Sequence, residues 1–203
     1  MKEENFKATL EKMRTAINER DYEKLIQHVD VKKFLDEGYD EATDELANRC
    51  AEFHELYPHD LFFKFGSRIL RFYNDKFRGV HLGFVTRVMN AYFDKNLTPP
   101  KNFAANPINF STVELSKLLR ALSSEIKKIH VENDRAVAEI KISGDNSFYG
   151  KIFGALDFKF EFVENSAGVW KLKRIVNLRE LVPPVLDMAE RFWPSDWDLG
   201  IKL

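Results

Sequence analysis

Cysteine is nearly absent from this chain, with Cys50 as its single copy among 203 residues. One cysteine excludes an intramolecular disulfide and leaves the redox compartment open. The chain also lacks any run close to the roughly 20 apolar residues that a membrane span needs. Residues 1–20 have the charged pattern of a helix rather than that of a signal peptide. As written, the sequence predicts a cytoplasmic protein; an extracytoplasmic location would follow if a leader or anchor has been removed.

An excess of either charge is also missing. The chain has 31 Lys and Arg residues against 32 Asp and Glu residues, a formal net charge of -1. Phosphate contacts dominate nucleic-acid affinity, so no nucleic-acid partner is expected. The length predicts a single domain over residues 1–203. Within it we expect a mainly helical part over 1–122, an antiparallel sheet over 123–177, and a C-terminal helix with an aromatic tail over 178–203.

The first half of the chain has the apolar spacing of amphipathic helices, and we expect about six of them. Phe6, Leu10 and Ile17 recur at the helical period and predict the first helix. Asp21 and Asp30 are suited to cap the helices that follow, because their short side chains can accept from exposed backbone N–H groups.

Later helix boundaries rest on weaker signals. The acidic segment 36–45 predicts the start of a helix that continues through Cys50 to Leu56, and Pro58 ends it. Residues 96–109 contain three prolines and predict an ordered loop. Ser111 or Thr112 would then cap a short helix that leads into the strands.

The segments 61–77 and 80–93 are the most apolar part of the chain and predict two helices. Their apolar side chains cover more than one helical stripe, so these helices are either buried on several sides or packed against a partner. Gly79 and Gly83, four apart in the helical pattern, indicate a packing site. The residues that an interface would use are aromatic and lie here and in the C-terminal tail: Phe62, Phe65, Phe72, Trp193 and Trp197.

Strand patterns begin near residue 125. Residues 126–131 and 137–142 flank the turn Asn133-Asp134 and predict a β-hairpin. In residues 156–162 apolar and charged residues alternate, which is typical of a half-buried strand. Residues 169–176 predict a fourth strand, followed by a C-terminal helix. Helices followed by consecutive antiparallel strands indicate an α+β fold with helices packed on the sheet.

These strands, with Trp170-Lys171-Leu172 in the last one, resemble the closing strands of nuclear transport factor 2-like (cystatin-like) domains. Residues 18–25 (NERDYEKL) resemble the superfamily's opening, and also bacterial domains of unknown function with that opening. The resemblance covers about the first 35 and the last 80 residues; the helical stretch between them is longer than the usual family core. It implies a curved sheet whose surface is often a dimer contact. It implies no catalytic residues, because the superfamily has no shared active site.

No motif for a metal, a phosphate or a nucleophile stands out. Cys50 and His54 share a helical face and are followed by His59 and Asp60, but Pro58 interrupts the geometry that a zinc site needs. A catalytic thiolate would need an activating partner, and Cys50 lies among apolar residues as a buried cysteine does. We therefore expect neither a bound metal nor a cofactor.

The expected function is that of a non-enzymatic binding or protein-interaction domain, with a homodimer or a small hydrophobic ligand as its partner. The alternative is an isomerase or dehydratase type of enzyme that uses a cavity inside the curved sheet. A fully packed core in place of a cavity is also left open. The residues expected to line such a cavity are Phe158, Phe160, Phe162, Trp170, Tyr149 and Arg174.

Overall fold

The computed structural model describes residues 2–58, 60–95, 98–101 and 103–192. Within these ranges the chain is α+β, with helices first, then a four-stranded antiparallel sheet and a C-terminal helix, as the sequence predicts. The helices are α1 (Lys2–Glu19), α2 (Tyr22–Ile26), α3 (Val31–Asn48), α4 (Cys50–Leu56), α5 (Leu61–Lys64), α6 (Ser67–Phe93), α7 (Pro107–Arg120), α8 (Phe148–Phe153) and α9 (Leu178–Phe192). The strands are β1 (Leu122–Glu132), β2 (Arg135–Gly144), β3 (Ala155–Glu164) and β4 (Trp170–Ile175).

The sheet is a simple meander in the order β1-β2-β3-β4, and it stays open. Asn133 adopts a positive φ of 54° in the two-residue turn between β1 and β2, a conformation that asparagine tolerates better than most residues. Register shifts occur between Ile126 and Lys128 on β1, and beside Glu161 and Phe162 where β3 pairs with β4. Such bulges bend a strand and increase its twist.

Helix α1 covers the apolar face of the sheet. Ala136 and Ala138 on β2 are small and almost fully buried, which leaves room for the ring of Phe6. That ring meets Phe162 edge-on at 5.0 Å and Trp170 at 5.2 Å between centroids. Edge-to-face packing at these distances is favourable for aromatic rings. The first helix is therefore held by residues of the last two strands.

The segment after α2 joins the helical half to the edge strand β4. The His28 ring donates from Nδ1 to the carbonyl of Trp170 at 3.0 Å, and the Leu172 N–H donates to the His28 carbonyl at 2.7 Å. Val29 and Leu172 form an isolated parallel bridge. These hydrogen bonds pair backbone N–H and C=O groups that an edge strand would otherwise leave without a partner.

A second core lies away from the sheet, where α3, α4, α5, α6 and α9 meet. It joins the C-terminal helix to the helical half of the chain. Its buried members are Ala47, Cys50, Phe53, Phe63, Leu70 and Val182.

Several helix boundaries differ from those predicted. The two helices expected over 61–77 and 80–93 are instead the short α5 and the 27-residue α6, divided by Gly66 at a φ of 81°. Helix α7 is capped by Asn106, whose side chain accepts from the Asn109 N–H, rather than by Ser111 or Thr112. Pro107 follows at the first position, where a missing N–H costs least.

Two further differences concern α3, α4 and α8. The helix expected to continue through Cys50 is broken at Arg49, which ends α3 and precedes α4. Helix α8, which was not predicted, lies between β2 and β3, and the Ser147 hydroxyl accepts from the Gly150 N–H at its start. The Asp21 and Asp30 caps predicted from the sequence are confirmed, since each carboxylate accepts from a backbone N–H three residues ahead.

Candidate functional site

Large apolar side chains are exposed along α5 and the first half of α6. Phe65 is 62% exposed, Phe72 is 67% exposed, and Phe62 and Ile69 are about half exposed. Scattered single apolar residues are common on protein surfaces, but a contiguous set marks an interaction site more often. We call this set, together with Leu61, the α5–α6 face.

The opposite side of α6 explains why these residues face outward. Leu70, Asn74, Val88 and Tyr92 are buried there, where α6 packs against α3 and α7. A helix that has already buried one stripe leaves the other to solvent or to a partner. Ile69 and Phe72, three residues apart, lie on that outer stripe, and Phe65 is exposed just before the helix begins.

Stacked rings hold the edge of the α5–α6 face in place. Tyr73 lies 5.0 Å from Phe62 and 4.7 Å from Phe77 between ring centroids, and Phe77 stacks on His81 at 6.3 Å. The Tyr39 hydroxyl on α3 lies 2.8 Å from His81 Nδ1. Burial raises the pKa of Tyr39, so its hydroxyl stays protonated at neutral pH. This network fixes α6 against α3.

Two glycines continue the outer stripe beyond Phe72. A Cβ added to Gly79 or to Gly83 would meet no heavy atom within 4 Å among the described residues. Glycine inside a helix costs about 1 kcal/mol relative to alanine. The packing site that the sequence indicates at these glycines is therefore not filled by any described part of the chain.

A groove of about 650 Å³ lies on a different side of the molecule, between α3, α6 and β4. Its apolar wall includes Phe34 and Leu35 from α3, Leu82 and Val85 from α6, and Ile175 from β4. A volume in this range can hold a small molecule.

Gly38 helps to keep this groove open. It lines the groove from α3, and a Cβ added there would meet no heavy atom of the described residues within 4 Å. A larger side chain at this helical position would project into the space that the groove now offers.

Charged side chains surround the apolar part of the groove. Arg174 donates from Nε to Glu161 at 2.7 Å, and this bond raises the pKa of the guanidinium. Arg135 is farther from Glu161, at 3.9 Å. Lys173 also lines the groove and makes no ion pair with the described residues. The carboxylates of Glu37 and Glu41 also line the groove. The groove thus combines an apolar wall with charges of both signs, among which the Lys173 ammonium is the cation suited to meet a ligand carboxylate.

The structure does not bring the six predicted cavity residues into one pocket. Phe162 and Trp170 are buried in the core under Phe6, and Phe160 packs beside them. Phe158 stacks on Phe160 at 5.6 Å and borders a second cleft. Ligand binding through these four aromatic residues stays a prediction.

The other two cavity candidates lie at separate places. Tyr149 is on α8, where its hydroxyl donates to Glu114 and the ammonium of Lys117 lies 5.7 Å from its ring centre. Burial and the bond to the Glu114 carboxylate raise the pKa of Tyr149. Arg174 is the member of the six that lines the groove between α3, α6 and β4.

Three of the predicted interface residues are exposed on consecutive elements. Phe62, Phe65 and Phe72 are all exposed on the α5–α6 face. Trp193 and Trp197 lie outside the described residues. The groove residues Gly38, Leu82 and Val85 were not predicted, and the sequence signal that could have pointed to one of them is a glycine inside a helical segment.

The cysteine and histidine residues provide no visible metal site within the described ranges. Cys50 is buried, and its thiol donates to the Phe63 carbonyl at 3.4 Å. Burial raises the pKa of this thiol. Among the described residues no group of three His, Cys, Asp or Glu side chains could hold a metal ion, and His59 is outside them. No helix in the described ranges has both the length and the apolar content needed to cross a bilayer.

Comparisons with known protein families, with curated proteins and with solved structures find no match. The resemblance to nuclear transport factor 2-like domains therefore stays a prediction from the sequence. Any functional argument has to come from the α5–α6 face and the groove themselves.

Proposed function

We propose that this chain is a non-enzymatic protein-interaction domain that binds another protein chain through the α5–α6 face. The observation that carries the proposal is the exposure of Ile69 and Phe72, three residues apart on one side of α6, with Phe62 and Phe65 exposed on the short segment that precedes it. A flat row of large apolar side chains matches a protein surface better than it matches a small molecule, which needs a concave site.

The energetics favour a partner at this face. Burying a Phe or Ile side chain contributes about 1.5–3 kcal/mol, so covering three of them supplies several kcal/mol. The ring contacts of Tyr73 with Phe62 and Phe77 already restrict these side chains, so less side-chain conformational entropy is lost on binding. Aromatic residues held in this way are typical of interface hot spots.

A photo-cross-linking experiment tests the proposal. A benzophenone amino acid replaces Phe72 in the full-length chain, and the matched control places it at Lys12, an exposed position of α1. We expect irradiation to join position 72, but not position 12, to another polypeptide. A second variant, Phe65→Ser with Ile69→Ser, should remove that product while the thermal unfolding midpoint changes little, because both side chains are exposed. Cross-linking of equal yield at positions 12 and 72 would contradict the proposal.

A second candidate function is the binding of a small hydrophobic ligand with a carboxylate in the groove between α3, α6 and β4. The observation that favours it is the 650 Å³ volume with an apolar wall and Lys173 at its margin. Tyr39 lines the same groove, and its hydroxyl, which lies 2.8 Å from His81 Nδ1, is the group through which an enzyme of the isomerase type would act. Turnover that depends on Tyr39 would favour this enzyme over a binding protein.

A further inference from the structure

The outer edge of β4 is occupied along only part of its length. Val29 forms a parallel bridge with Leu172, whose N–H donates to the His28 carbonyl at 2.7 Å. Asp30 then caps α3, and the chain leaves the strand. Over residues 173–175 no described segment of the chain pairs with the outer edge of β4.

The backbone of Ile175 points to this open edge. The Val176 N–H donates to the Lys159 carbonyl at 2.7 Å, so the N–H of residue 176 faces β3. The N–H and C=O groups of an antiparallel strand face alternate sides at successive residues, so those of Ile175 face away from β3. Ile175 and Lys173 line the groove between α3, α6 and β4. An open strand edge beside this groove is a template for one further strand.

The apolar wall of the groove is suited to the side chains of such a strand. Phe34 and Leu35 come from α3, and Leu82 and Val85 come from α6. Gly38 leaves space above α3. Alternate side chains of a strand point to the same side, so every second side chain of an added segment would face this wall. In strand addition the main-chain bonds supply affinity, and the contacts of these side chains supply specificity.

The acidic residues of the groove are matched by cations of the same chain. Each carboxylate in its lining has a cationic partner: Glu161 and Arg174 at 2.7 Å, Glu41 and Arg179 at 3.5 Å, and Glu37 and Lys33 at 3.8 Å. These pairs reduce the repulsion that an anionic ligand would meet. Lys173 lines the groove and has no such partner among the described residues.

The segment beside β4 decides which end of a peptide can enter. Val29 occupies the edge at Leu172, so an added strand has to stop at Lys173. An antiparallel strand would stop there with its carboxyl terminus, and a parallel strand would start there with its amino terminus. The Lys173 ammonium attracts a carboxylate and repels an ammonium group. Charge therefore favours an antiparallel strand that ends in a free carboxylate.

We propose that the groove binds the C-terminal end of an extended polypeptide. The peptide pairs antiparallel with β4 at Ile175, packs an apolar side chain against α3 and α6, and places its terminal carboxylate at Lys173. This inference rests on the second candidate function, because it names the hydrophobic carboxylate that the groove takes. A fatty acid has the carboxylate and the apolar chain but lacks the backbone groups that pair with a strand edge.

The first test measures binding of the full-length chain to an array of acetylated pentapeptides. Their last three positions are varied, and the matched set carries a C-terminal amide in place of the carboxylate. We expect binding to peptides that end in a large apolar residue, and a loss of roughly tenfold or more on amidation, because the charge that meets the ammonium is removed. Equal binding of acids and amides, or binding to no peptide of the array, would overturn the inference.

A pair of lysine variants tests the position of the carboxylate. Lys173→Gln should weaken binding of the tightest peptide of the array by roughly tenfold. Lys128→Gln is the matched control, at an exposed lysine of β1 outside the groove, and should leave the affinity unchanged. An unchanged affinity in Lys173→Gln would show that the carboxylate lies elsewhere and would overturn the inference.

Pairing with the strand edge has its own measurements. N-methylation of one of two adjacent peptide amides should abolish binding and methylation of the other should not, because only every second amide faces β4. Amide hydrogen exchange at Ile175 should slow in the complex, whereas that of Val176, already bonded to Lys159, should stay the same. Equal tolerance of both methylations, or unchanged exchange at Ile175, would contradict strand addition.

A medium-chain fatty acid separates this inference from the candidate function on which it rests. Binding of the fatty acid without binding of any peptide overturns the inference and leaves the groove as a site for a small hydrophobic carboxylate. Binding of neither overturns both. The α5–α6 face is tested independently of these results by the cross-linking experiment at Phe72.

Discussion

The ring of Phe6 on α1 meets the indole of Trp170 on β4 edge-on, with 5.2 Å between their centroids. Both side chains are fully buried, although one belongs to the first turns of the chain and the other to its last strand. The apolar face of the sheet therefore becomes a core when α1 docks on it. Contacts of this sequence separation carry a loop-closure entropy cost, and folds rich in them fold more slowly.

Phe6→Ala should destabilise the fold strongly. The substitution removes a ring that contacts both Phe162 and Trp170, and it leaves a cavity over Ala138. We expect a loss of about 3–5 kcal/mol in the free energy of unfolding, measured by urea denaturation. Lys7→Ala is the control, because its salt bridge to Glu3 is exposed to solvent and its loss should leave stability almost unchanged. Equal effects of the two substitutions would mean that α1 does not close this core.

Asn177 extends the pairing of β3 beyond the end of β4. Its Oδ1 accepts from the Lys159 N–H and its Nδ2 donates to the Asp157 carbonyl, each at 2.9 Å. Asn177→Ala should cost about 1–3 kcal/mol, because two backbone groups lose their partners. Amide hydrogen exchange should accelerate at Lys159 and stay unchanged at Ala138 in the sheet core. Unchanged exchange at Lys159 would show that another group satisfies this amide.

Cys50 should resist thiol reagents in the folded chain. Burial raises the pKa of its thiol above the ordinary value of 9.0, so little reactive thiolate forms at neutral pH. An unfolded chain ionises near the ordinary value, so this group lowers stability as pH rises from about 9 toward the folded pKa. We expect a disulfide reagent to label Cys50 in urea but not in buffer. Rapid labelling in buffer would indicate that α4 and α5 open readily.

The fold class and the strands could be predicted because they depend on local signals. Alternation of apolar and charged residues in 156–162 places Phe158 and Phe160 on one face of β3, as the sheet register confirms. The acidic caps of α2 and α3 depend on single residues beside each helix. Such features need no knowledge of distant contacts.

The errors in helix boundaries also have local causes. The sequence predicted separate helices over 61–77 and 80–93, with Gly79 between them. The structure continues α6 through Gly79, because glycine lowers helix propensity without preventing a helix that packs on one side. The division falls instead at Gly66, where the backbone has a positive φ. The Asn106-Pro107 pair was a usable signal for the start of α7, and Ser147 for the start of α8.

The groove could not be predicted from local patterns. Its lining comes from Gly38 on α3, Val85 on α6 and Arg174 on β4, which packing alone brings together. The cavity was expected on the concave face of a curved sheet packed on helices. Phe6 occupies the space beside Phe162, and a covering helix of this kind cannot be placed from the strand pattern.

Substitutions at Gly38 separate its role in stability from its role in the groove. Gly38→Ala should raise the thermal unfolding midpoint, because it replaces a glycine inside a helix and the added methyl group meets open space. The expected gain in the free energy of unfolding is about 0.5–1 kcal/mol. Gly38→Leu should fill part of the groove. If the groove binds a hydrophobic carboxylate, titration with a medium-chain fatty acid should shift the methyl resonances of Leu82 and Val85.

These shifts should persist in Gly38→Ala and disappear in Gly38→Leu, because the added branched side chain occupies the space beside both methyl groups. Lys173→Gln should weaken the same binding without altering the fold, since the ammonium is the group expected to meet the ligand carboxylate. Methyl shifts that survive in Gly38→Leu would place the fatty acid elsewhere, with the exposed side chains of the α5–α6 face as the next site to examine.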